Sequence, residues 1–190
     1  MRKVIYGMSV SLDGFIEAKD GDISWTDPDE ELHKHFNERE AAIDLHLYGR
    51  RLYENMAAAW PSLDEDPSAG GDMKQYARLW KSMPKIVFST TLKQVGWNAR
   101  LVSGNIAEEV NKLKEQPGGD MSVSGAGLAS SFMQLGLIDE FWLYVHPIIL
   151  GGGKPMFPTL RDKITLKLVE THKFDGGVVL LKYQRAEAHP

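Results

Sequence analysis

Three segments bring glycine, arginine and hydroxyl side chains together in forms that suit phosphate recognition. Tyr48-Gly49-Arg50-Arg51 lies where a strand-like run passes into a helical one. A helix N-terminus there offers unpaired N–H groups and a positive dipole end, and Gly49 lets a ligand approach the backbone. The two arginines add permanent charge and forked donors; two solvated arginines on a surface helix are the plain alternative. Phe88-Ser89-Thr90-Thr91 follows another strand-like run, so its hydroxyls and amides suit a phosphate monoester, although Ser and Thr are also ordinary turn residues. Ser124-Gly125-Ala126-Gly127-Leu128 again runs from strand to helix, with glycines that admit a pyrophosphate close to the backbone. It lacks the third glycine and the downstream acid of the dinucleotide fingerprint, so it reads as a general phosphate cradle or as a tight turn. One extended ligand phosphorylated at two positions would account for all three segments.

An alternation of strand-like and helix-like runs must position them. A strand over 4–10 comes first, then a helix over 28–42 with Leu32, Phe36, Arg39 and Ile43 at helical spacing. Thr26 or Asp27 is placed to cap that helix, and Pro28 suits its first turn. A strand over 44–48 and a helix over 50–59 lead to a polar loop from Trp60-Pro61 to Gly70-Gly71. Beyond it lie a helix over 73–80, a strand over 85–88, a helix over 106–116 and a strand over 121–124. A helix over 128–135 and a strand over 140–146 follow, and after Gly151-Gly152-Gly153 come strands over 165–173 and 178–184. Asp175-Gly176-Gly177 between the last two is a hairpin signal. Repeated strand–helix–strand units predict an α/β chain with a mixed, mostly parallel central sheet, helices on both faces and a C-terminal antiparallel hairpin. The chain, 1–190, reads as one domain. In such sheets ligands bind beyond the carboxyl ends of the strands, where the three segments fall.

Composition narrows the function classes. Twenty-two basic against 26 acidic side chains give a net charge of −4, which brings no general attraction to nucleic acid or anionic membrane. With no cysteine, disulfides, thiolate zinc sites and cysteine nucleophiles are excluded. The opening Met1 to Met8 lacks the apolar run of a signal peptide, and the apolar stretch over 141–150 is broken by His146 and Pro147. A soluble, cytoplasmic protein is expected. His33, His35 and His46 have no partner in the sequence that argues for catalysis, and no metal site is expected.

Tyr48-Gly49-Arg50-Arg51-Leu52-Tyr53-Glu54 resembles the strand-to-helix signature of the dihydrofolate reductase superfamily. Gly125-Ala126-Gly127, Gly136-Leu137-Ile138-Asp139-Glu140 and His146-Pro147-Ile148-Ile149-Leu150-Gly151-Gly152-Gly153-Lys154 are similar to the reductase domain of bifunctional riboflavin-biosynthesis deaminase/reductase proteins. Ser9-Val10-Ser11-Leu12-Asp13-Gly14-Phe15-Ile16 matches the opening strand and loop of that domain. The resemblance implies a three-layer dihydrofolate-reductase-like fold and NADPH as hydride donor. It implies a small pyrimidine- or pteridine-like substrate, as for a 5-amino-6-(5-phosphoribosylamino)uracil reductase. It would put Arg50 and Arg51, after Gly49, with Ser89 and Thr90 around the adenosine 2′-phosphate, and Gly125, Ala126 and Gly127 at the pyrophosphate. Leu52 departs from the pattern, because folate reductases usually place a threonine there. True dihydrofolate reductase and a nucleotide-binding module without turnover are the alternatives.

Hydride transfer to a C=N bond needs a proton at the neighbouring nitrogen. Gly21-Asp22-Ile23-Ser24-Trp25 resembles the segment before the first helix of folate reductases, where a helix acid binds the pteridine ring. Of the acids that follow, Glu30 falls opposite the apolar stripe, Asp29 beside it and Glu31 on its flank, so Asp29 and Glu31 stay as candidates. Asp13, before Gly14, is a third: the family's corresponding loop adjoins nicotinamide and substrate, while an Asp-Gly turn is the plain reading. Trp25 either walls the substrate pocket or belongs to the core. The run 140–146 is apolar on both sides, and no helix follows the last strands to cover them, so a homodimer around the C-terminal strands is expected.

Overall fold

The computed structural model describes residues 1–186. Its strands are β1 (Val4–Ser11), β2 (Phe15–Glu17), β3 (Leu45–Gly49), β4 (Lys85–Phe88), β5 (Ala99–Val102), β6 (Met121–Ser124), β7 (Glu140–His146), β8 (Lys154–Pro155), β9 (Leu166–Lys173) and β10 (Val179–Arg185). Its helices are α1 (Glu30–Ala42), α2 (Arg50–Leu63), α3 (Gly71–Ser82), α4 (Ile106–Glu115) and α5 (Ala126–Gln134). Eight strands form one sheet in the order β5-β4-β3-β6-β1-β7-β10-β9, and β2 pairs with β8 in a separate ribbon. The six strands from β5 to β7 are parallel, whereas β10 runs antiparallel to both β7 and β9. The expected α/β class, mixed sheet and terminal hairpin are all present. The parallel set brings the carboxyl ends of β3, β4, β5, β6 and β1 to one edge.

Helices cover both faces, as a parallel sheet requires. On one face α4 and α5 bury Val110, Leu113, Leu128, Phe132 and Met133 against Val4, Tyr6, Leu47, Ile86 and Val123. On the other, Leu32 of α1 packs with Tyr144, Phe174 and Leu180, while Tyr53 and Trp80 of α2 and α3 cover Tyr48 and Val87. The inner stripe of α1 includes a charge. The Arg39 guanidinium lies over the Trp142 and Tyr144 rings at 5.7 and 5.8 Å, and the missing side chain of Gly7 leaves it room.

Several boundaries differ from expectation, each for a physical reason. The cap of α1 is Asp29, whose carboxylate accepts a hydrogen bond from Leu32 N at 2.8 Å, rather than Thr26 or Asp27. Helix α2 continues through Pro61 to Leu63 because Trp60 packs on Tyr76 of α3 at 4.4 Å and donates to Met56. Tertiary packing there outweighs the one backbone bond that proline forfeits. Strand β5 was not anticipated: as an edge strand with Arg100 in its middle it carries no clear alternation.

His46, fully buried in β3, lies 3.0 Å from Ser122 Oγ and 3.3 Å from the Glu40 carboxylate. Burial dominates over Glu40 and lowers its pKa from 6.5 to about 4, so it is neutral in spite of its acidic neighbour. The unfolded chain takes up this proton near pH 6.5 and the folded chain only near 4, so stability is lost as pH falls through that window. Acidification from pH 7 to 4 should cost roughly 3 kcal/mol at this residue. Urea unfolding across pH should show a shallower acid slope for His46→Gln; an unchanged slope would refute this account of His46.

Candidate functional site

A cleft of about 1000 Å³ opens at the carboxyl edge of the sheet. Gly49, Arg50, Arg51, Ser89, Thr90, Gly125, Ala126 and Gly127 all line it, so the three phosphate-type segments converge on one space. That volume is at the upper end for a single ligand and leaves room for a dinucleotide and a small ring.

Two helices aim their N-termini into the cleft. Neither α2, which begins after Gly49, nor α5, which begins after Gly125, has a side-chain cap. Asp29 caps α1 and Asn105 caps α4, while α3, which begins after Gly70 away from the cleft, is uncapped as well. The N–H groups at the starts of α2 and α5 are thus left for a ligand, with both positive dipole ends behind them. The two turns interlock. A Cβ at Gly49 would sit 3.4 Å from the Leu128 Cβ, and one at Gly125 would sit 3.3 Å from the Leu52 Cβ. Gly125 also holds φ +92°, which only glycine adopts cheaply. Leu52 therefore packs beneath Gly125. Gly127 has open space where a side chain would stand.

At this end of the cleft Arg50 Nη1 donates to Thr91 Oγ1 at 3.1 Å. Ser89 Oγ accepts from Thr91 N and Leu92 N, so its hydroxyl also shapes the turn. Thr91, Ser103 and Gly104 line the cleft as well. The last two follow β5, and they were missed because that strand was missed. The opposite end is walled by Met8, Ile16 and Ile23, with Glu17 and Lys154 at the rim. Glu17 was not singled out from the sequence; a two-residue strand pairing, β2 with β8, is too short to leave a periodic signal.

The acids chosen from the sequence stand elsewhere. The Asp13 carboxylate accepts from Ser11 Oγ at 2.7 Å, Leu150 N at 3.1 Å and Gly151 N at 2.8 Å. The Ser11 hydroxyl above all, then these amides, hold its pKa below the ordinary value, so it is a carboxylate that ties two loops together. Asp29 caps α1 with one oxygen and abuts Gly176 with the other. Glu31 accepts from Asp175 N at 2.8 Å, and its second oxygen lies 3.9 Å from His172. Both acids fasten α1 to the turn of the β9–β10 hairpin and do not line the cleft. Trp25 also stands outside it: its ring meets His146 edge-on at 5.4 Å and its Nε1 donates to Asp22 O, while Ile23 takes the place in the wall.

The sequence pattern of the RibD C-terminal domain matches residues 2–180. The uncharacterized protein YyaP of Bacillus subtilis (strain 168) is 41% identical over 185 residues, covering 96% of this chain and 94% of that one. The diaminohydroxyphosphoribosylaminopyrimidine deaminase/5-amino-6-(5-phosphoribosylamino)uracil reductase of Thermotoga maritima superposes with a TM-score of 0.66 at 15% identity, over 97% of this chain and 57% of that one. Dihydrofolate reductase from Enterococcus faecalis, complexed with NADP(H), superposes with a TM-score of 0.63 at 14% identity, over 97% of each chain. These two structures show that the fold is dihydrofolate-reductase-like.

The Asp13 contacts predict a local effect. In Asp13→Ala the amides of Leu150 and Gly151 should exchange faster with solvent, and unchanged exchange would show that the carboxylate does not hold them. Asp29→Ala should lower global stability by about 1 kcal/mol through loss of the cap, read by chemical denaturation.

Proposed function

The chain belongs to the RibD C-terminal domain family, and from that membership we propose that it is an NADPH-dependent reductase of a small pyrimidine- or pteridine-like heterocycle. The observation that carries the reading is the convergence of Gly49 to Arg51, Ser89 to Thr91 and Gly125 to Gly127 on one cleft. The residues present fit a dinucleotide phosphate: two uncapped helix N-termini, the open space at Gly127, and two arginines whose charge does not titrate away. Arg50 and Arg51, with the hydroxyls of Ser89, Thr90 and Thr91, hold the 2′-phosphate. The backbone at Gly125, Ala126 and Gly127 meets the pyrophosphate. When bound there, NADPH supplies a hydride.

Met8, Ile16 and Ile23 wall the far end and exclude water from the ring face. Asp13 stays ionised, and Asp29 and Glu31 are committed to the hairpin turn. None of the three lines the cleft, so none is placed to donate the proton. This removes the acid on which the true dihydrofolate reductase reading depended. The expected homodimer also belongs to the proposal. Strand β9 is one of the two edges of the sheet, with Leu168 and Val169 47% and 45% exposed, and a twofold partner buries such a surface.

NADPH should bind more tightly than NADH, and replacing Arg50 and Arg51 together by Ala should remove about 2–4 kcal/mol of that preference. Calorimetry measures both affinities, and equal affinities in the unmutated protein would overturn the cofactor assignment. Gly127→Val should abolish NADPH binding while unfolding stays cooperative, because a side chain there enters only the cleft. Sedimentation at micromolar concentration should give a dimer of the 21.3 kDa chain; a clean monomer rejects that part.

A further inference from the structure

A second cavity, of about 670 Å³, lies at the edge of the sheet opposite the cleft. Leu45, Lys85 and Ala99, the first residues of β3, β4 and β5, line it together with Val95, Trp97 and Leu113. Its size falls within the range of small-molecule sites. The proposed hydride chemistry makes no use of it.

The charge at this cavity is unbalanced. Lys85 is 2% exposed, and its ammonium donates to Met83 O and Trp97 O at 2.7 Å each, with the Trp80 ring 4.7 Å away. No carboxylate of the described residues offsets it, and burial alone lowers its pKa to about 8. Its partner across the β3–β4 pairing, His46, is neutral. The other charges cancel: Arg2 is paired with Asp44 at 2.6 Å, and Arg100 with Glu109. One positive charge is left over, and a buried charge without a counter-ion is costly.

The turn that Lys85 fastens is held in an expensive shape. Trp97 and Asn98 both have φ +55°, and among the described residues they alone, glycines apart, have positive φ. A bulky aromatic seldom adopts that conformation; it persists where the surroundings over-determine it, commonly at binding sites. Here Lys85 holds Trp97 O, and Asn98 Nδ2 donates to Ser82 O at 2.6 Å. The Tyr53 hydroxyl accepts from Gly96 N at 2.8 Å and donates to Gly96 O at 3.2 Å. Trp97 is left 45% exposed while it lines the cavity, so a fixed aromatic side chain is available to a ligand.

We propose that this cavity is a second binding site, for a planar aromatic acid that carries one negative charge. The carboxylate meets Lys85 and supplies the counter-ion that the chain lacks there. The ring packs against Trp97 and the apolar Leu45, Val95 and Leu113. A phosphate monoester would bring a second negative charge with no partner, and a neutral ring would leave Lys85 uncompensated. The site is independent of the cofactor assignment. One segment of chain joins the two places: residues 89–91 line the cleft and residues 95–98 line the cavity.

Calorimetry on the intact protein tests this, with 2-naphthoate, 2-naphthamide and 2-naphthyl phosphate as probes. Naphthoate should bind about tenfold more tightly than either of the others, as expected for a hydrogen bond between charged groups. Lys85→Met removes the charge at similar length and should abolish the preference for acid over amide. Trp97→Gly suits the backbone conformation, removes the ring and should weaken naphthoate by about threefold to tenfold. With naphthoate bound, hydrogen exchange should slow at residues 95–98 and stay unchanged at 125–128. No binding of naphthoate at millimolar concentration, equal affinity for acid and amide, or tighter binding of the phosphate would overturn the inference. So would indifference to Trp97→Gly, or protection at 125–128 instead of 95–98. If Lys85→Met does not unfold cooperatively, the three probes and Trp97→Gly decide the matter without it.

Discussion

Strands β3 and β6 lie side by side and parallel, paired from Leu45↔Met121 to Tyr48↔Ser124, and a helix starts directly after Gly49 at the end of β3 and after Gly125 just beyond β6. Gly49-Arg50-Arg51-Leu52 and Gly125-Ala126-Gly127-Leu128 are the same motif in spacing, and the leucine of each packs on the glycine of the other. That reciprocal contact fixes the distance between two helix N-termini. It is a packing constraint with an electrostatic result: two sets of unpaired amides face one space, and their dipoles add. A larger residue at either glycine would push the helices apart. The cleft and the placing of Arg50 and Arg51 at its edge depend on it.

The carboxylates follow a different logic. Asp13, Asp29 and Glu31 do not line the cleft and are committed to backbone amides instead. Asp13 joins the loop after β1 to the loop after β7, Asp29 closes the first turn of α1, and Glu31 receives the Asp175 amide of the hairpin turn. Short acids beside exposed N–H groups satisfy donors that would otherwise stay unpaired. In this protein they hold loops and turns together, and they leave Glu17 as the one carboxylate among the described residues that lines the cleft.

Much of this was legible in the sequence, unevenly. Strands over 85–88, 121–124 and 140–146 are predicted to the residue, because runs such as Lys85 to Phe88 are buried on both sides and bounded by turn residues. The three segments that converge on the cleft were legible because glycine, arginine and hydroxyl residues carry their chemistry in their type. The acids were not, because an Asp in the first turn of a helix looks the same whether it caps or catalyses; only three-dimensional neighbours such as Gly176 and Asp175 separate the two. Strand β5 and the β2–β8 ribbon escaped because an edge strand and a two-residue pairing lack the periodicity on which such reading depends. Glu17 and Ser103-Gly104 were lost with them.

The central claim is that three separate segments act as one dinucleotide site. Hydrogen exchange by mass spectrometry, with and without saturating NADPH, tests it most directly. Amides in residues 49–52, 89–91 and 125–128 should become protected together, at one ligand concentration, while the β9–β10 hairpin stays unchanged. Protection confined to one segment, or none in all three, would contradict the account.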